Sequence, residues 1–121
     1  KDRRRNHFCK VKLPGDEGIV EVSALIDTGN GLTEPVSHKP VAILEEEAWE
    51  HLRRWMRPEK FKVIPYHSIG KDNGILEGYE IDTIKVKGNE CEKQYDKVIV
   101  AVFKGKVSKG GSYQMILPPE L

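Results

Sequence analysis

The chain has 121 residues, and 20 Lys and Arg nearly balance 19 Asp and Glu, which leaves a formal net charge of +1 at pH 7. This length fits a single domain with one hydrophobic core. The balance excludes a protein drawn to nucleic acid or anionic lipid by its overall field, and no apolar run reaches the ~20 residues that a membrane span needs.

The strongest local charge lies at the start, where Lys1 and three arginines at 3–5 face one acid, Asp2. A block of like charge is usually a solvated chain end, but beside a membrane span it is an orientation signal on the cytoplasmic side. We therefore expect a basic juxtamembrane tail over 1–6 and a folded domain over 7–121. Because the chain begins with Lys rather than Met, any membrane segment is expected to precede it.

The first predicted elements form a hairpin. Residues 7–13 alternate between apolar and polar, Pro14-Gly15 fits a type II turn, and a second run over 19–26 ends in the unbroken apolar triplet Ala24-Leu25-Ile26. This pattern predicts a second strand whose end enters the core. The segment 27–40 is rich in Gly, Pro, Asn and Ser, and it is predicted to be a loop.

The remaining elements are one helix and several short strands. From the last residue of the short predicted strand 41–44, apolar residues recur at helical spacing: Leu44, Ala48, Leu52 and Trp55. They predict an amphipathic α-helix near 45–57 that ends before Pro58. Further strands are predicted at 61–65, 75–86, 98–103 and 113–117. Many short strands, Gly and Pro turns and one helix indicate a mainly β barrel or sandwich.

Cys9 and Cys91 are the only cysteines, without a CxxC pair and without a His at zinc-ligand spacing, so no metal site is predicted. Two lone thiols fit a reducing cytosol better than a disulfide framework. A bridge between the two cysteines stays open at this point.

The triplet Asp27-Thr28-Gly29 directly follows the strand that enters the core. Its simplest interpretation is a turn in which Asp caps its own backbone. The context is more specific, because a carboxylate at a buried strand end must be hydrogen-bonded, protonated or paired. The hairpin, apolar triplet and Asp-Thr-Gly resemble the active-site element of the retroviral-type (pepsin-like) aspartic proteases.

This resemblance implies a retropepsin-like closed β-barrel half, the acid protease fold, with the predicted helix inserted. It implies that Asp27 is catalytic, that Thr28 buttresses the active-site loops through hydroxyl-to-backbone bonds, and that Gly29 lets the backbone donate to the carboxylates. The chain departs from the family near its C-terminus, where 115–117 run into Pro118 instead of a glycine. How the C-terminal segment braces the active-site loop is therefore an open question.

Aspartic protease chemistry needs two carboxylates that share one proton. The chain has only one Asp-Thr-Gly, because Asp82-Thr83 is followed by Ile84. The economical hypothesis is a C2 homodimer that places Asp27 of each subunit at the symmetry axis. This chemistry requires no cofactor and no metal.

Three separated motifs occur in order along the chain: Asp27-Thr28-Gly29-Asn30 with Leu32, Glu34-Pro35 and Lys39-Pro40-Val41; Ile64 to Gly70; and Tyr113 to Leu121. Together they closely resemble the sporulation sigma-E factor-processing peptidases of endospore formers, from about residue 6 to the end. The resemblance implies the soluble C-terminal half of an aspartic endopeptidase whose N-terminal half is membrane-embedded, on the cytoplasmic face of the sporulation septum membrane.

The same resemblance implies the substrate and partners. The substrate is a sporulation sigma factor precursor, which loses its N-terminal propeptide, and the partners are a second copy of the chain and an activating signal protein. An extended substrate is expected under a hairpin flap. The candidate flap residues are Ser68, Ile69, Gly70, Asn73 and Gly74, although their turn chemistry fits an ordinary surface hairpin equally well.

Two alternatives remain at this stage. The first is a catalytically silent, pepsin-like dimerisation or peptide-binding module of a membrane protein, for which Asp27 is dispensable. The second is a nucleic-acid-binding barrel that uses Lys104, Lys106 and Lys109. Near-neutral charge and 7% aromatic residues argue against the second alternative.

Overall fold

A computed structural model of the chain describes residues 7–66, 74–89 and 91–121. The elements in chain order are β1 (His7–Gly15), β2 (Gly18–Ile26), β3 (Val41–Glu45), α1 (Glu46–Trp49), 3-10 turns at Arg53–Trp55 and Pro58–Lys60, β4 (Phe61–Tyr66), β5 (Gly74–Lys87), β6 (Glu92–Phe103) and β7 (Met115–Leu117). Every predicted strand is present. The predicted basic tail, 1–6, lies outside the described residues.

The strands form one closed barrel. Their order is β1-β2-β7-β3-β6-β5, and β5 returns to pair with β1, where Lys10–Lys12 lie antiparallel to Lys85–Lys87. Strand β4 is attached to the outer edge of β5. Closure of six strands in this mainly β chain confirms the predicted retropepsin-like barrel half.

The barrel interior is filled by the inward-facing residues of the alternating strands. In β1 and β2 these are Val11, Leu13, Val22 and Ala24, all buried. The other strands contribute further buried residues: Leu44, Ile81, Ile84, Val98, Val100, Val102, Met115 and Leu117. The hydrophobic core is therefore continuous from the first hairpin to the last strand.

The β1–β2 hairpin is confirmed, but its turn was predicted two residues too early. Both strands pair as far as Gly15 opposite Gly18, and the turn is formed by Asp16 and Glu17. Gly18 has φ +117°, a conformation that side chains rarely adopt. The glycine that permits the turn is thus Gly18, and Pro14 remains within the strand.

The helix predicted near 45–57 is present only as one turn, Glu46–Trp49, so its predicted length was wrong. The backbone N–H of Asp16, in the β1–β2 turn, donates to the carbonyl of His51 at 2.7 Å. A continuing α-helix would use that carbonyl for the N–H of residue 55. The N–H groups of His51 and Leu52 already donate to carbonyls three residues back, so the α-helix has ended before this contact. The chain continues as 3-10 turns, while Trp49 and Leu52 still pack into the core.

Two remaining observations concern the thiols and the membrane. Cys9 is half-buried, Cys91 is exposed, and both are free thiols. Burial raises the pKa of the Cys9 thiol, which makes its thiolate scarcer at neutral pH.

Within the described ranges, no helix has the length and hydropathy to cross a bilayer.

Candidate active site

Asp27 is held at the end of β2 by the last strand of the chain. Residues 24–26 of β2 pair in parallel with 115–117 of β7, and the backbone N–H of Asp27 donates to the carbonyl of Leu117 at 3.0 Å. This contact answers the question raised by the missing glycine near the C-terminus. The segment before Pro118 braces the start of the Asp27 loop directly, through its backbone.

The loop after β2 places backbone donors on Asp27. The N–H of Gly29 donates to Asp27 Oδ1 at 2.9 Å, and the N–H of Asn30 donates to the Asp27 carbonyl at 3.0 Å. The expected donation from residue 29 to the carboxylate is therefore present. It does not depend on the absence of a side chain, because a Cβ on Gly29 would lie 3.4 Å from Oδ1, an ordinary contact distance.

The carboxylate of Asp27 is half-buried and lines a cavity of about 670 Å³. Among the described residues that line this cavity, Asp27 is the only acid. Aliphatic residues from four different parts of the chain also line it: Leu32, Ile43, Leu76 and Ile116. The site thus combines one acid with walls that suit an apolar side chain of a peptide.

Thr28 is exposed, and its hydroxyl has no hydrogen-bond partner in the part of the chain that the structure describes. Among the residues described in one copy, the buttressing contact that the resemblance implies is therefore not seen.

Asn30 connects the loop after Asp27 to the barrel, a role that the sequence pattern did not predict. Its side-chain amide donates to the carbonyl of Val41 at 3.0 Å, and its Oδ1 accepts the N–H of Leu32 at 3.2 Å. The signal that could have identified it is its position directly after Asp27-Thr28-Gly29. Asn30 fixes the start of the loop that forms one wall of the cavity.

Glu34 holds the far part of the same loop and was also missed as a structural residue. Its side chain is only 4% exposed, and its Oε1 accepts the backbone N–H of Ser37 at 2.7 Å. The Glu34 carbonyl accepts the N–H of His38, which adopts a left-handed φ of 64°. Because Pro35 lines the Asp27 cavity, Glu34 fixes the shape of that wall.

Hydrogen bonds from the side chain and the backbone of Ser37 lower the pKa of Glu34. The ionised form is therefore favoured in the folded state. A carboxylate with a lowered folded-state pKa stabilises the fold above its unfolded pKa, about 4.3 for glutamate. This stability is lost as the pH falls through the lower folded-state value.

We expect Glu34→Ala to lower the Tm at pH 7 and Glu34→Gln to lower it less, because glutamine keeps an oxygen that accepts the Ser37 N–H. The difference in Tm between the unmodified chain and Glu34→Gln should shrink as the pH falls below about 4.3. Thermal unfolding followed by circular dichroism at several pH values measures this. Equal Tm values for Glu34→Ala and the unmodified chain would show that Glu34 does not hold the loop.

Of the candidate flap residues, Ser68, Ile69, Gly70 and Asn73 lie outside the described residues. Gly74 is the first residue of β5 and pairs with Tyr66, the last residue of β4. The two strands are antiparallel along their length, and the side chain of Tyr66 lines the Asp27 cavity. The strands that flank the candidate flap therefore meet at the edge of the site.

A larger cavity of about 860 Å³, here called the aromatic groove, lies between α1, the 3-10 turns and β4–β5. Trp49 stacks on Tyr79 with ring centroids 4.6 Å apart, and Phe61 meets Tyr79 edge-on at 5.5 Å. Of the acids that line it, Glu46 begins α1, Glu77 lies within β5, and Glu50 is paired with Arg53 at 2.9 Å. None of the three belongs to an Asp-Thr-Gly. The Asp27 cavity is thus the better candidate for a catalytic site.

The closed six-stranded barrel, with an acid directly after β2, has the architecture of a retropepsin-like barrel half. The model of a peptidase family, U4, described as sporulation factor SpoIIGA, matches residues 1–121. The chain belongs to this family.

Curated relatives carry related names. The chain is 26% identical to the sporulation sigma-E factor-processing peptidase of Bacillus subtilis (strain 168), over 93% of the chain and 44% of that protein. It is 22% identical to the protein of the same name from Priestia megaterium, over 96% of the chain and 44% of that protein. It is 27% identical to a "Putative sporulation sigma factor-processing peptidase" of Bacillus thuringiensis subsp. kurstaki, over 96% of the chain and 84% of that protein.

The chain thus spans less than half the length of two of these relatives. No solved structure matches the chain.

Proposed function

We propose that the chain is the catalytic domain of an aspartic endopeptidase that works as a homodimer. The observation that carries this proposal is the placement of Asp27. It lies at the end of β2, is held by the Leu117 carbonyl and the Gly29 N–H, and faces a cavity with no second acid among the described lining residues. Because the reaction needs two carboxylates, the second comes from Asp27 of another copy.

In this dimer the two carboxylates share one proton, since two like charges in contact do not both ionise. One carboxylate takes a proton from the attacking water, and the other donates a proton to the carbonyl oxygen of the scissile bond. The Gly29 N–H holds the Asp27 carboxylate in place during both steps. Thr28, exposed in one copy, buttresses the loop of the other copy.

The proposed substrate is a sporulation sigma factor precursor, from which the N-terminal propeptide is removed. The names of the B. subtilis and P. megaterium relatives support this choice. We further propose that a membrane-embedded segment tethers the domain to the cytoplasmic face of the sporulation septum membrane. Tethering raises the effective concentration of a membrane-associated precursor, and a signal protein activates the dimer.

The test places the protein and the purified precursor together in the same membranes. The product is then identified by N-terminal sequencing. The expected product lacks an N-terminal segment and is cut at one bond. Processing that continues unchanged when Asp27 is replaced by Asn would overturn the aspartic mechanism.

The silent-module alternative keeps one observation in its favour. The hydrogen bond from Gly29 to Asp27 Oδ1 also occurs in ordinary turns in which Asp caps its own backbone. A silent module would bind the precursor and leave it uncut. The nucleic-acid alternative is weakened because Lys106, one of its three lysines, forms an ion pair with Glu47 at 3.0 Å.

A further inference from the structure

The ring of Tyr66 occupies the space that a side chain at position 74 would need. An ideal Cβ on Gly74 would lie 2.6 Å from Tyr66 Cε1, and closer still to Cζ and the hydroxyl oxygen. Gly74 is not among the glycines with a positive φ, so the backbone conformation does not demand glycine there. The missing side chain at Gly74 instead makes room for the ring across the strand pair.

This ring lies between two cavities. Tyr66, Leu76 and Phe103 each line both the Asp27 cavity and the aromatic groove. Tyr66 differs from the other two because it carries a hydroxyl and because its position depends on an empty space at a neighbouring residue. The flat ring gives apolar contact area, and the hydroxyl offers a hydrogen bond.

We infer that Tyr66, packed against Gly74, is a specificity-determining residue: its ring forms the wall that limits which side chain a bound peptide places beside Asp27. This inference rests on the proposed endopeptidase function and adds a residue pair to it. Removing the ring joins the Asp27 cavity to the aromatic groove, which has room for a larger side chain. A methyl group at position 74 displaces the ring, because the ring is the movable end of a side chain while the backbone of Gly74 is held in the β4–β5 ladder.

The experiment compares four variants in the full protein: Tyr66→Ala, Gly74→Ala, the double variant, and Gly88→Ala as a matched control. Gly88 also lacks a positive φ, and a Cβ there would meet no heavy atom within 4 Å. The kcat and KM are measured for precursor peptides in which the residues beside the scissile bond range from Ala to Trp. Circular dichroism and thermal unfolding establish that each variant is folded.

We expect Tyr66→Ala and Gly74→Ala each to raise the KM for the natural peptide about tenfold or more, with a smaller change in kcat. Tyr66→Ala should also shift the preference towards larger side chains. The double variant should match Tyr66→Ala, because no ring remains for the new methyl group to displace. Gly88→Ala should behave as the unmodified protein does.

Two results would overturn the inference: an unchanged side-chain preference in Tyr66→Ala, or an effect of Gly74→Ala that persists in full when Tyr66 is already Ala. Binding of the same peptides to Asp27→Asn, measured by calorimetry with and without the Tyr66 change, gives a readout that needs no catalysis. If Asp27→Asn cleaves at the rate of the unmodified protein, the proposed function fails. If only the preference and binding are unaffected, the function stands and the role of Tyr66 fails.

Discussion

Replacement of Asp27 by Asn is expected to reduce cleavage of the sigma factor precursor by about 10²–10⁴-fold, the range associated with loss of a general acid or base. Asparagine has the same shape and keeps an oxygen that accepts the Gly29 N–H seen at 2.9 Å. The substitution therefore removes the ionisable group and leaves the loop in place. Initial rates of precursor cleavage measure the effect.

Asp82→Asn is the matched control, because Asp82-Thr83 is another Asp-Thr pair in the chain. Asp82 is exposed on β5 and lies 3.4 Å from Lys60, and it does not line the Asp27 cavity. The Asp82→Asn variant is expected to cleave the precursor at the rate of the unmodified protein. Full activity in Asp27→Asn would assign the chemistry to another group, and equal losses in both variants would indicate a general effect of removing a charge.

Leu117→Ala is expected to destabilise the domain by about 2–5 kcal/mol, the usual cost of truncating a fully buried leucine. Leu117 is 1% exposed and belongs to the main core cluster. A domain of this kind has a total stability of roughly 5–15 kcal/mol, so the loss is a large part of it. Because its carbonyl also accepts the N–H of Asp27, disorder in β7 should reduce activity as well. Urea unfolding gives the free energy.

Ile19→Ala is the control for this change, since Ile19 is also aliphatic but is 69% exposed. Its free energy of unfolding should change by no more than about 0.5 kcal/mol. If Leu117→Ala were as mild as Ile19→Ala, β7 would not be the brace that the structure indicates. The activity of Leu117→Ala is compared with the fraction of the variant that is folded. An activity lower than that fraction explains would identify the loss of Asp27 positioning.

The strands and the position of the acid were predictable because their signals are local. Alternation along β1 and β2 identifies the hairpin, and the apolar triplet before Asp27 identifies a strand that ends in the core. Asp27-Thr28-Gly29 then falls at the strand end without reference to any distant residue. The closed barrel follows from many short strands, although their order did not come from the pattern.

The features that were missed depend on contacts between distant residues. The carbonyl of His51, just after the short helix, accepts the N–H of Asp16, 35 positions earlier in the numbering. Helical periodicity does not reveal this contact. The roles of Asn30 and Glu34 depend on how one loop folds back on itself. The contact between Tyr66 and Gly74 depends on strand register, which the apolar pattern of a short strand specifies weakly.

An active site built from two copies of Asp27 is tested most directly by a mixing experiment. The unmodified protein and Asp27→Asn are combined in equal amounts, allowed to exchange subunits, and assayed for precursor cleavage at constant total concentration. If subunits pair at random, about a quarter of the dimers carry two aspartates, and the rate should fall to about a quarter of that of the unmodified protein. A rate of one half would mean that each chain cleaves by itself, and it would contradict the shared site.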